Sequence, residues 1–174
     1  MTEHQELAEI RQQKDLFFKT NPQSPIPAQE RGRFGGLAYY DPNPDLDLMV
    51  EVEEFEEKQD IQMQTSSGEL RDYQRWGQFS FQAEGQTARL TLYFRPQTSF
   101  FFLPFTDVTS GKETYGAGRY VDAEALGGNK FRIDFNLAYH PYCAYNPGYS
   151  CPIPPQENRL SVPIRAGEKN PPEK

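Results

Sequence analysis

Ala88, Leu90, Leu92 and Phe94 alternate without a break with Thr87, Arg89, Thr91 and Tyr93, between Glu84-Gly85-Gln86 on one side and Pro96 on the other. A strict period of two over eight residues is the mark of a β-strand with two distinct faces. The glycine-bearing connection before it marks a tight hairpin, so this strand pairs with its neighbour in sequence. The same period recurs at Leu46, Leu48, Val50 and Val52, resumes at Ile61 and Met63 beyond the acidic run 51–57, and returns at Phe131, Ile133 and Phe135. That run reads as a solvated strand face. Segments 70–76 and 79–83 read as separate strands, 119–121 is strand-like, and the apolar run 99–103 suits a strand buried on both faces. Strands this short, joined by turns at 65–68 and 127–128, predict a mainly β fold, an antiparallel barrel or sandwich.

One helix is predicted, over residues 3–19. Thr2 and Gln5 have capping-box spacing, Leu7, Ile10, Phe17 and Phe18 recur near helical spacing, and Pro22 stops the run. Ile10, Phe17 and Phe18 are expected to pack this helix on the sheet, with Lys14 laying its methylene stem along the same stripe. The 174 residues read as a single domain, residues 1–174, with a β core over about 45–165 and a frayed tail at 170–174. Thirteen Phe and ten Tyr supply large rings, so a core can be built from few side chains.

Net charge narrows the partners. With 25 acidic against 18 basic side chains the chain stands at −7, which repels nucleic acid and anionic membranes. Charges fill the N-terminus where a signal peptide needs an apolar core, and the apolar run 100–105 is too short to span a bilayer, so a cytoplasmic protein is expected. Both cysteines are expected as free thiols. No cofactor motif is present, and nothing in the sequence sets an oligomeric state.

Two segments gather chemistry. In 105–119 glycines and hydroxyls precede Arg119, a guanidinium able to grip carboxylate or phosphate bidentately, although no phosphate-loop spacing is present. The competing reading has Arg119 pairing with Asp107, Glu113 or Asp134 to hold loops together. Segment 134–169 carries six prolines, both cysteines, His140 and Tyr139, Tyr142, Tyr145 and Tyr149, and reads as an ordered irregular loop. His140, Cys143 and Cys151 with Asp134 or Glu157 would make four zinc ligands, but the spacing is not that of paired knuckles, and metal-free thiols beside tyrosine rings are expected.

The motifs Arg11-x-x-Lys14-Asp15-x-Phe17-Phe18, Phe105-x-Asp107-x-Thr109-Ser110-Gly111-x-Glu113-Thr114-Tyr115-Gly116-Ala117-Gly118-Arg119-Tyr120, and Asp134-Phe135-Asn136 through Cys151-Pro152, Glu157-Asn158 and Ala166-Gly167-Glu168-Lys169 resemble, in order, those of a bacterial and archaeal family of uncharacterised proteins, the domain-of-unknown-function family 1684. Asn commonly stands at the position of His140 in that family, which speaks against a required histidine. The resemblance implies one soluble domain and supplies no activity.

The leading expectation is a protein binding a small anionic molecule in a pocket roofed by loops 105–119 and 134–158, with Asp107, Thr109, Tyr115, Arg119, Asp134, Asn136, Tyr139 and Asn158 as ligand-binding candidates. The alternatives are a hydrolase using carboxylates or hydroxyls of the same loops, drawn from Asp107, Glu113, Asp134, Glu157 and Glu168 for an acid/base pair, and a non-catalytic structural or interaction protein.

Overall fold

The computed structural model describes residues 3–172. Its elements run α1 (Glu3–Thr20), β1 (Ala38–Tyr39), β2 (Asp47–Glu51), β3 (Glu53–Gln64), β4 (Leu70–Ala83), β5 (Gln86–Arg95), β6 (Phe100–Phe105), β7 (Arg119–Asp122), β8 (Glu124–Gly127), β9 (Lys130–Asp134) and β10 (Glu168–Lys169), with short 3-10 turns between them. Thr2 of the expected capping box and the last two residues of the tail lie outside the described residues. The strands form three antiparallel sheets: the meander β3-β4-β5-β6-β7, the sheet β2-β9-β8, and the small pair β1-β10. The first two enclose the main core in a sandwich-like arrangement. No sheet closes into a barrel.

The hairpin at 84–85 follows from its residues. Ala83 pairs with Gln86, and the two residues between them, Glu84 and Gly85, both take positive φ (49° and 78°), the type I′ geometry whose twist matches that of paired strands. Segments 70–76 and 79–83, expected as two strands, are one. The register of β4 against β5 slips between Arg75 and Gly77, so Trp76 is the extra residue of a bulge. Because side chains alternate with a period of two, one extra residue sends the two halves of the strand to opposite faces. Phe79 and Phe81 pack in the main core with Leu90, Leu92, Leu103 and Ile133, whereas Tyr73 joins Met63, Tyr93, Phe102, Tyr120 and Cys151 on the other face of the meander. Phe101 and Phe102 likewise point to opposite sides, giving the doubly buried strand expected at 99–103.

The strand of alternating apolar residues from Leu46 breaks at Val52, where the chain leaves β2 for the edge of the other sheet. There Glu53, Glu54, Glu56, Glu57 and Asp60 are exposed, and a charged edge discourages pairing with another chain.

The helix docks differently from expectation. Phe18 is buried against Phe34, Tyr142 and Tyr145, but Ile10 is 47% exposed. The rest of the docking stripe is polar: Arg11 donates to the carbonyls of Tyr40 and Asn136, Asp15 accepts from the Leu37 amide at 2.9 Å, and Lys14 pairs with Glu168 at 2.6 Å. Positions 11, 14, 15 and 18 share one helix face at i, i+3, i+4 and i+7. Among the described residues no helix is long and apolar enough to cross a membrane.

Candidate functional site

The second face of the meander is not covered by another sheet, and its strand alternation sets a row of rings there, buried except at Phe100. Tyr73, Phe100, Phe102 and Tyr120 form the floor of a cleft of about 610 Å³ that opens to solvent. Tyr73 stacks on Phe102 with ring centres 5.4 Å apart, and Tyr120 meets Phe102 edge-on at 4.7 Å. The proline-rich chain crosses above, with Tyr139, Tyr142, Tyr149 and Cys151 as roof and wall. Tyr142 and Tyr149 meet edge to face at 5.3 Å, and the Tyr120 hydroxyl anchors the roof by donating to the Pro152 carbonyl. Volume and lining fall in the range of small-molecule sites.

Charge is distributed unevenly around it. Arg71 and Arg95 stand beside Tyr73, and neither has a carboxylate partner among the described residues. Arg71 donates through Nη2 to the Ser150 carbonyl at 2.6 Å, while the buried Nε of Arg95 has no hydrogen-bond partner. Burial raises the pKa of the Tyr73 hydroxyl, with Arg95 and Arg71 opposing. Lys14 closes another side, its ammonium 5.0 Å from the Tyr139 ring centre and held by Glu168. Asp122 is the cleft's one carboxylate; it accepts from the Tyr139 hydroxyl at 2.7 Å, and surrounding protein raises its pKa against that bond.

Of the eight residues expected to bind ligand, only Tyr139 lines this cleft. Arg119 lies beneath the surface, wholly buried. Its Nη1 donates to the carbonyls of Ala166 (2.6 Å) and Glu168 (3.0 Å), its Nη2 to that of Ile164 (2.7 Å), and Asp107 Oδ2 is 3.6 Å away. Burial pulls its pKa below the ordinary guanidinium value, with Asp107 opposing. Gly167 makes this clamp possible: at φ +78° it turns the chain between two of the accepting carbonyls, where a Cβ would come within 2.7 Å of backbone oxygens of Phe135 and Ala138. Asp107 accepts from the hydroxyls of Thr109 (2.8 Å) and Ser110 (3.2 Å) and from the Ile164 amide (2.6 Å), and Thr109 also contacts Thr114. Loop 105–119 is therefore turned inward onto the C-terminal strap, and it does not roof the cleft as expected.

Asn158 is also committed internally. Its Oδ1 accepts from the Thr91 amide at 2.8 Å, and its Nδ2 donates to the carbonyls of Thr91 and Pro104, both at 2.9 Å. It thus bridges β5 and β6 beyond the end of their ladder, where Pro104 brings no N–H. Asp134 and Asn136 form a turn, Asp134 Oδ1 accepting from the Asn136 amide, and Asn136 clasps the backbone of Asn43 at 2.8 and 2.9 Å. They border a separate hollow of about 120 Å³ under the start of the helix. Tyr115 directs its amide to His140 Nε2 (3.4 Å) and its hydroxyl to Cys143 Sγ (3.8 Å).

The groups weighed for acid/base or metal chemistry are likewise apart. Burial alone would raise the Glu157 carboxyl, but Arg75 and Tyr93 hydrogen bonds outweigh it and hold the pKa below its usual value. The Tyr40 hydroxyl and then Arg165 lower that of Glu113. Glu168 faces Lys14, the His140 amide and the Tyr145 hydroxyl. His140 is buried, and that burial, with Arg119 and Lys14, holds its imidazole neutral down to about pH 3. Both cysteines are free, the Cys143 amide donating to Cys151 Sγ at 3.3 Å, and burial pushes the Cys151 thiol up to about 11.

Arg71, Arg95 and Asp122 escaped the sequence reading, and Lys14 was read only as part of the helix stripe. The signal for the two arginines was alternation: Arg71 shares a strand face with Tyr73, and Arg95 with Tyr93, so both face the same way as buried rings.

Comparison with known proteins places the chain without supplying an activity. No curated protein matches it. The solution NMR structure of an uncharacterised protein of Haloarcula marismortui is similar, with a TM-score of 0.71 and 36% identity over 95% of this chain and 92% of that one. Residues 32–169 match the family described as protein of unknown function DUF1684. The chain belongs to that family of uncharacterised proteins.

Proposed function

We propose that the protein binds a small anionic molecule with an apolar or aromatic body, in the cleft between the meander and the proline-rich roof. The observation that carries this reading is the pair Arg71 and Arg95, two guanidinium groups beside an aromatic floor with no carboxylate to neutralise them, in a chain whose net charge is −7. An acidic chain loses nothing by pairing its arginines with nearby carboxylates, and Arg75, Arg132 and Arg165 are paired in that way. Two arginines left unpaired around stacked rings leave both charge and π-surface for a ligand.

The test is a 1H–15N NMR titration with 3-phenylpropionate and its neutral amide. The acid is expected to shift amides of Tyr73, Arg95, Phe102 and Ser150 and to bind about tenfold tighter than the amide, a preference lost in Arg95→Gln. Equal binding of the two, or shifts confined to another face, refutes the proposal.

A further inference from the structure

The two kinds of charge in the cleft are not mixed; they occupy different rows of the sheet. Tyr93, Phe102 and Asp122 are cross-strand partners in one row over β5, β6 and β7, while Arg95 pairs with Phe100 in the next row. Two inter-strand steps and two residues along a strand separate Arg95 from Asp122, roughly 12 Å between Cα atoms. The stacked pair Phe100 and Phe102, on the intervening strand β6, lies between them, with ring centres 5.8 Å apart. Asp122 presents a defined acceptor. Its Oδ1 is held by the Tyr139 hydroxyl, Oδ2 has no hydrogen-bond partner among the described residues, and Lys14, whose charge acts on it, is already bound at 2.6 Å to Glu168.

Building on the anion-binding reading, we infer that the cleft recognises its ligand at two ends: an acidic group at Arg71 and Arg95, and a hydrogen-bond donor, an ammonium or hydroxyl, at Asp122, with an aromatic or apolar body lying across Phe100 and Phe102. The carboxylate of Asp122 also selects by repulsion. A molecule acidic at both ends meets a like charge there, so the site prefers zwitterions and hydroxy acids over diacids of equal length.

Three probes sharing one scaffold test this on the full chain: 3-phenylpropionate, 3-(4-aminomethylphenyl)propionate and 3-(4-carboxyphenyl)propionate. Affinities from the same NMR titration are expected to rank ammonium, unsubstituted, carboxylate, with about fivefold per step for a partly solvated charge-assisted contact. Asp122→Asn keeps an acceptor for Tyr139 and should collapse that ranking, with unchanged circular dichroism melting showing that the fold is intact. A flat ranking in the native protein, or one that survives Asp122→Asn, overturns the two-ended reading while 3-phenylpropionate still outbinds its amide. If no acid shifts the cleft amides, the anion-binding reading falls and takes this one with it.

Discussion

Replacing Arg119 by Met should cost about 5 kcal/mol. The substitution fills similar volume, so the loss is polar rather than a cavity. Three buried carbonyls, of Ile164, Ala166 and Glu168, lose donors at 2.7, 2.6 and 3.0 Å, and Asp107 loses its cation at 3.6 Å. Breaking a buried ion pair on one side costs about 3–5 kcal/mol, and each orphaned buried polar group about 1–3 kcal/mol. These losses are not additive, because the strap 160–169 can shift to rehydrate some carbonyls, and Asp107 keeps its bonds from Thr109, Ser110 and the Ile164 amide. A domain of this size is stable by roughly 5–15 kcal/mol, so the variant sits near the edge of folding. With a urea m-value of about 2 kcal/mol/M the midpoint should fall by about 2.5 M. Arg119→Lys keeps the charge but loses the fork that spans three carbonyls, and should cost about half as much. Urea unfolding at pH 7 followed by circular dichroism gives both numbers. A midpoint shift below ~0.5 M for Arg119→Met, together with weaker binding of 3-phenylpropionate, would refute the clamp and return Arg119 to the ligand.

Two further outcomes are expected. His140 has a folded pKa near 3, below its ordinary value of 6.5, so the unfolded chain binds the extra proton between those values and stability falls as pH drops through that window; between pH 7 and 5 the loss from this group is about 2 kcal/mol, and His140→Asn should flatten the unfolding free energy against pH by that amount, an unchanged slope counting against it. Thiol titration under anaerobic conditions should find two free thiols after unfolding and slow labelling of Cys151 when native, since burial pushes its pKa to about 11; rapid native labelling of Cys151 or recovery of a disulfide would contradict that burial.

How much of this was legible depends on whether a residue's partners lie near it in sequence. Strand alternation is local, so β5 and β9 could be read directly, as could the Glu84-Gly85 hairpin. The bulge at Trp76 defeated the same rule: a one-residue slip makes a continuous strand look like two, and only pairing with β5 shows the continuity. The helix shows a second failure of apolar periodicity. Apart from Phe18 its docking face is built from Arg11, Lys14 and Asp15, polar residues that find partners 22 to 154 positions away, so Ile10 is left in water although it reads as core.

The candidate site follows the same logic with higher stakes. Glycines followed by an arginine have one local appearance whether the guanidinium waits for an anion or closes on the chain's own carbonyls. What decides between them at Arg119 is the strap 45 to 49 residues downstream. Asn158, expected among the ligand-binding residues, is spent on Thr91 and Pro104, 67 and 54 residues upstream. Internal demand is satisfied first, because a buried unpaired carbonyl costs more than a surface contact returns. Strand period sets Arg71, Arg95 and Asp122 on the ring-bearing face of the meander, where among the described residues no carboxylate pairs with either arginine, Arg71 reaches the Ser150 carbonyl and Asp122 is held by the Tyr139 hydroxyl; these are the groups on which the proposed ligand site rests.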